Sequence, residues 1–117
     1  MKSYTFDLLG NKAHLKTNSI IFLYAMWNGY SKGHLSDDVL AKNVHQTLFE
    51  EYGDSIKVWS RRGHFLSNCG YLVEPGSHKE GSYTFTNKFR ELFKLYYQNL
   101  EEIVLEYDKE NKKLQTV

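Results

Sequence analysis

The stretch that decides the fold runs from residue 54 to residue 89. It opens Asp54-Ser55-Ile56-Lys57-Val58-Trp59-Ser60-Arg61-Arg62-Gly63-His64-Phe65-Leu66-Ser67-Asn68-Cys69-Gly70-Tyr71-Leu72-Val73. It continues Glu74-Pro75-Gly76-Ser77-His78-Lys79-Glu80-Gly81, then Ser82-Tyr83-Thr84-Phe85-Thr86-Asn87-Lys88-Phe89. Asp54 or Ser55 is a helix N-cap, because a short oxygen-bearing side chain accepts from a free N–H of the first turn. The spacing predicts a helix over 55–68 with Ile56, Trp59, Gly63 and Leu66 facing inward. Gly70 is the left-handed stop. Short strands follow over 71–73 and 82–85, with Tyr83 and Phe85 on one face. Pro75-Gly76 and Gly81 punctuate the turn between them. Thr86 then caps a new helix.

Working outward, residues 87–110 carry the longest apolar pattern. Phe89, Phe93, Tyr96, Leu100, Ile103 and Tyr107 are spaced alternately four and three apart, the seam of a helix pair. Leu92, Tyr97 and Val104 widen it. A helix of about twenty residues spans about 30 Å, more than a small core covers, so the segment 100–107 is expected to need a partner. The predicted dimer interface is Phe93, Tyr96, Leu100, Ile103 and Tyr107. The tail 111–117 is polar.

Upstream, a helix is expected from Thr17, Asn18 or Ser19 to about Asn28, buried on most faces. Ser36 reads as the N-cap of a second helix, with Asp37 and Asp38 in its first turn, where the helix dipole favours anions. That helix runs to about Tyr52 with Leu40, Val44 and Leu48 on one face, and Gly53 ends it. In 1–16, Tyr4, Phe6 and Leu8 alternate before a Gly10-Asn11 turn, which suggests a short strand or an arm packing on a neighbour.

Composition bounds what such a chain can be. Its 117 residues suit one core. Hydrophobic and charged fractions of 41% and 25% are ordinary for a soluble protein. The net charge is +1, so the whole-chain basic bias of many nucleic-acid binders is missing. The charge is uneven, however. From Ile56 to Val73 the cations are Lys57, Arg61 and Arg62, with no acid. A local patch can hold phosphates on a near-neutral protein. A lone cysteine, Cys69, forms no disulfide within the chain and reads as a packing residue in a reducing cytoplasm. No signal peptide is expected, and the longest apolar run, residues 20–27, is too short to span a bilayer. The histidines His14, His34, His45, His64 and His78 make no metal-ligand spacing, so no metal or other cofactor is expected. No nucleophile elbow, phosphate loop or catalytic carboxylate spacing is present, so an enzyme is not expected.

The order helix, helix, helix, strand, strand, helix resembles the winged helix-turn-helix superfamily, with 59–72 and 83–92 as the best-matching segments. The long last helix looks like the dimerisation helix of PadR-type regulators and of the replication terminator family. The resemblance implies an α+β, mainly α fold: an arm over 1–16, a winged helix domain over 17–86 with a three-helix core and a β-hairpin wing, a dimerisation helix over 87–110 and the tail. Two features depart from the pattern. Gly63 stands where an aliphatic residue is usual, at a cost of about 1 kcal/mol relative to alanine in a helix, and the second helix is long.

What the resemblance implies for function is a cytoplasmic, homodimeric DNA-binding regulator, a repressor reading double-stranded DNA with helix 55–68 and wing 74–82. Lys57, Ser60, Arg61, Arg62, His64 and Asn68 are its candidate DNA-binding residues on the helix. Guanidinium groups pair with guanine edges and Asn with adenine, while Ser and Lys suit phosphates. Ser77, His78 and Lys79 are the candidates at the wing tip. The alternatives are a winged-helix protein-interaction module or accessory factor without DNA binding, and a small ligand-binding protein or enzyme.

Overall fold

A computed structural model describes residues 2–30, 38–75 and 81–111. The elements run β1 (Ser3–Leu8), β2 (Asn11–Lys16), α1 (Thr17–Tyr30), β3 (Asp38–Leu40), α2 (Ala41–Tyr52), α3 (Ile56–Asn68), β4 (Leu72–Val73), β5 (Ser82–Phe85) and α4 (Asn87–Asn111). The fold is α+β and mainly helical.

The N-terminal segment is a complete hairpin. β1 and β2 pair antiparallel from Ser3↔Lys16 to Leu8↔Asn11. Leu9 and Gly10 both take positive φ, 53° and 88°, which a two-residue turn of matching twist requires. Phe6, Leu8, Ala13 and Leu15 alternate onto one buried face. That face packs on the same chain rather than on a neighbour. Phe6 meets Tyr96 edge-on with centroids 5.0 Å apart. The Tyr96 hydroxyl donates to the Asp7 carbonyl at 2.9 Å and accepts from the Asp7 N–H at 3.1 Å.

α1 is buried on most sides, with Ile20, Ile21, Phe22, Leu23 and Met26 inside the core. It continues two residues past the expected end at Asn28. The next stretch corrects the sequence reading. Asp38 belongs to β3, which pairs antiparallel with β5 through Asp38↔Thr84, Val39↔Tyr83 and Leu40↔Ser82. α2 therefore begins at Ala41, and Leu40 precedes it with no side-chain cap. Ser36 and Asp37 lie outside the described residues. The physical reason is that β5 offers a strand edge, so backbone partners replace the cap. Val39 goes into the core and the Ala41 N–H finds the Gly81 carbonyl at 3.1 Å. Leu40 leaves the helix face assigned to it and is exposed, while Val44 and Leu48 are fully buried.

β4 joins the other edge of β5 through Leu72↔Phe85 and Val73↔Thr84, giving the strand order β3-β5-β4. Tyr83 and Phe85 share the buried face as expected. Thr86 caps α4: its hydroxyl accepts from the Phe89 N–H at 3.3 Å and donates to the Gly70 carbonyl at 2.6 Å.

α4 is long, with a non-helical residue at Tyr96 (φ −129°, ψ 19°). Its apolar seam is consumed inside the chain. Phe89 stacks between Phe85 at 4.3 Å and Phe93 at 5.0 Å, and Trp27 stacks on Phe93 at 4.9 Å. Leu100 and Val104 are buried. The Tyr24 hydroxyl donates to Glu101 at 3.0 Å, and the Tyr52 hydroxyl donates to Asp108 at 2.7 Å beside the ring of Tyr107. Burial and these carboxylates push both tyrosine hydroxyls far up from their ordinary range. The distal half, where the length argument placed a second copy, thus packs against α1, the hairpin and Tyr52 of α2 within the chain. Phe93 and Leu100 are not available to a second copy, and Tyr96, Ile103 and Tyr107 pack against the same core. The exposed apolar side chains of α4 are instead Leu95 and Leu105, half or more exposed.

Candidate nucleic-acid interface

α3 starts and stops where its residues dictate. The Ser55 side chain accepts from the Val58 N–H at 3.1 Å. At the other end, Gly70 takes φ 88°, and the Tyr71 N–H returns to the Leu66 carbonyl at 3.0 Å. Lys88 reaches from α4 to donate to the Cys69 carbonyl at 2.7 Å, with its ammonium 4.5 Å from the Tyr71 ring centroid. A cation there also suits the negative end of the helix dipole. Cys69 is half-buried and packs against the core.

The inward stripe of α3 is Trp59, Gly63 and Leu66. Ile56, expected with them, is 45% exposed, because it sits in the first turn before the helix reaches the core. Trp59 is fixed by donating its indole N–H to the Gly53 carbonyl at 2.9 Å. Gly63 is explained by what lies above it. A Cβ there would stand 2.7 Å from Tyr83 Cζ and 3.1 Å from Phe22 Cζ, and would collide with the Tyr83 hydroxyl. The missing side chain lets that hydroxyl cross to His45 Nε2, 2.6 Å away. Burial lowers the His45 pKa and pushes Tyr83 up to about 12, Glu74 adding to the latter. Gly63 is thus a packing residue that seats β5 against α2 and α3, and it does not interrupt the exposed face.

That exposed face carries Lys57, Ser60, Arg61, His64 and Asn68, as the helical spacing predicts. Arg61 is exposed, and no carboxylate partner is found for it among the described residues. Arg62 departs from the group. It is part-buried, with its guanidinium carbon 5.8 Å from the Trp59 ring centroid. Its Nε is buried without a partner among the described residues. Burial lowers its pKa and the Asp54 charge opposes that. Ser77, His78 and Lys79 lie outside the described residues.

Two features of this face were missed in the sequence. The acid-free stretch ends at Val73, and the next residue, Glu74, folds back to place its carboxylate 2.8 Å from His64 Nδ1. Asn68 Nδ2 lies 3.3 Å from His64 Nε2. A neutral ring protonated at Nδ1 satisfies both contacts, donating to Glu74 and accepting from Asn68. Two of the predicted contacts are therefore already tied to one another. The second feature is Phe65, 53% exposed beside Arg61 and Arg62. Its signal was present, since an apolar residue off the buried stripe of a helix stands in solvent.

Among the described residues no group of three or more His, Cys, Asp or Glu is placed to hold a metal ion, and no helix is long and apolar enough to cross a membrane. Comparison with protein-family descriptions, with curated proteins and with solved structures gave no match.

Proposed function

We propose that this protein is a winged-helix DNA-binding regulator acting in the cytoplasm, with α3 as its reading helix. The observation that carries this reading is the outer face of α3: Lys57 and Arg61 stand in solvent at helical spacing, with Ser60 and Asn68 beside them. The topology supports it. A β4–β5 pair after the third helix, followed by α4, agrees with the winged-helix reading, and β3 adds a third strand in the order β3-β5-β4. In this reading the third helix enters a major groove by its exposed face. Gly63 does not weaken the reading, since it faces the core.

In this reading Arg61 pairs with a base edge, Lys57 meets a phosphate, and Phe65 offers an apolar surface of the kind that contacts a thymine methyl. Arg62 serves from the flank, and His64 and Asn68 must exchange their contacts with each other and Glu74 for contacts with DNA. A regulator that reads a two-fold site acts as a homodimer. Here it would use the outer side of α4 around Leu95 and Leu105, since the inner seam is occupied. The test is selection of bound duplexes from a random pool at low salt. Enrichment of a defined sequence is the expected result, and the absence of any enrichment overturns the reading.

A second reading is favoured by one observation. Phe65, Ile56 and Phe49 are exposed apolar side chains on α3 and the adjoining end of α2. An interaction module would use them against a protein partner, and its affinity would respond weakly to salt where DNA binding responds steeply.

A further inference from the structure

Beside α3, a cleft of about 310 Å³ is lined by Ser3, His14, Lys16, Ser19, Arg62 and Phe65. These residues come from β1, β2, the first turn of α1, and α3. Two permanent cations and an imidazole face one cavity, and no carboxylate is among its lining residues. Gathering like charges with no carboxylate in the lining is unfavourable, and the Asp54 charge that acts on Arg62 lies outside that lining. So is the buried, unpartnered Nε of Arg62. The Thr5 hydroxyl occupies His14 Nδ1 at 3.0 Å, which leaves Nε2 as the ring atom for a ligand. Ser3 and Ser19 add hydroxyl donors. An anion with several acceptor oxygens answers all of these groups together, and a guanidinium is shaped to pair with phosphate oxygens two at a time.

We propose that this cleft binds a phosphate group between Lys16 and Arg62. Resting on the DNA reading above, the group is a backbone phosphate flanking the base pairs that α3 reads. Phe65 joins the two regions: it lines the cleft and stands exposed next to Arg61. The cleft is larger than a phosphate ion, which leaves room for the sugar attached to it against the Phe65 ring. The N-terminal hairpin is thereby part of the binding surface. Its residues set orientation and register and carry no base preference, as contacts to phosphate do.

The test uses the full chain and two lysines of the same exposed strand, Lys16 in the cleft and Lys12 outside it. Affinity for a selected duplex is measured against salt for wild type, Lys16→Ala and Lys12→Ala, and amide shifts are followed on titration with inorganic phosphate. Lys16→Ala should flatten the salt slope by about one unit without changing the preferred sequence, while Lys12→Ala leaves the slope in place. Free phosphate should shift the amides of Ser3, His14, Lys16, Ser19 and Arg62 in wild type and not in Lys16→Ala. A slope change without phosphate shifts assigns the cleft to duplex phosphates alone. If no duplex is selected but free phosphate shifts the cleft amides, the site stands for a small phosphorylated ligand and the DNA reading falls. If a duplex is bound and both variants keep the wild-type slope, the cleft proposal is overturned and the DNA reading stands. Silence in both arms overturns both.

Discussion

α3 and α4 are both amphipathic, and they spend their surfaces differently. The apolar side of α4 meets α1, the N-terminal hairpin and the end of α2, and its Tyr96, Tyr97, Glu101 and Asp108 are hydrogen-bonded. α3 buries only a narrow stripe and leaves Lys57, Arg61 and Phe65 in solvent, with Arg62 incompletely partnered at its flank. The two also differ in charge. The distal half of α4 is rich in Glu and Asp, while α3 has none. Length and apolar pattern marked α4 as the helix with unmet contacts. Burial accounts for the inner seam of α4, with Leu95 and Leu105 left outside, while α3 keeps Phe65 and its cations in solvent. A long apolar seam is a statement about area, and which partner covers it depends on the rest of the fold.

The contrast is broken most severely from within α4. Leu100→Ala should cost about 2–5 kcal/mol, as deletion of a buried leucine side chain does. A charged residue at Leu100 should prevent folding rather than yield a folded monomer. Denaturant unfolding measures both, and a stable Leu100→Glu protein of halved mass would restore the seam as a dimer interface. At the α3–β5 contact, Gly63→Ala should destabilise by about 1–3 kcal/mol through overpacking, although alanine is the better helix former by about 1 kcal/mol. A stabilised Gly63→Ala protein would mean that Tyr83 moves aside without loss.

A smaller effect belongs to His45. Its buried ring has a folded-state pKa below the ordinary value of about 6.5. Protonation therefore favours the unfolded chain, and the stability His45 contributes is present above about pH 6.5 and is lost as pH falls below it. The pH dependence of the unfolding midpoint between pH 7 and 5 should be shallower in His45→Gln, and an unchanged slope would contradict the assignment. The α3 cap comes next, with Ser55→Ala costing about 1 kcal/mol. Arg61→Ala should be smallest, within about 0.5 kcal/mol of wild type in stability, because the side chain stands in solvent. The same substitution should cost about 1–3 kcal/mol in discrimination at one base position of a selected duplex.

The parts legible in the sequence were those fixed by neighbours along the chain. Ser55, Gly70 and Thr86 bound their elements by local hydrogen bonds, so short-range chemistry was sufficient. β3 was not legible. Asp38 looks like a first-turn acid, and only β5, beyond two helices, gives its backbone another partner. The hairpin was half legible, since alternation marked β1 but nothing local told what its buried face would meet. In the candidate site, the outer face of α3 followed from helical spacing. Glu74 escaped because its approach to His64 depends on how β4 lies against α3, and the Lys16–Arg62 cleft joins segments that touch only once folded.

The central claim is that α3 carries the DNA-binding face. It is tested most directly by titrating ¹⁵N-labelled protein with a duplex taken from the random-pool selection and mapping the amide shifts. The account predicts the largest changes at Lys57, Ser60, Arg61, Phe65 and Asn68, with a second group at His14 and Lys16 and little change along 100–111. Shifts concentrated on α4 with α3 unaffected would contradict it.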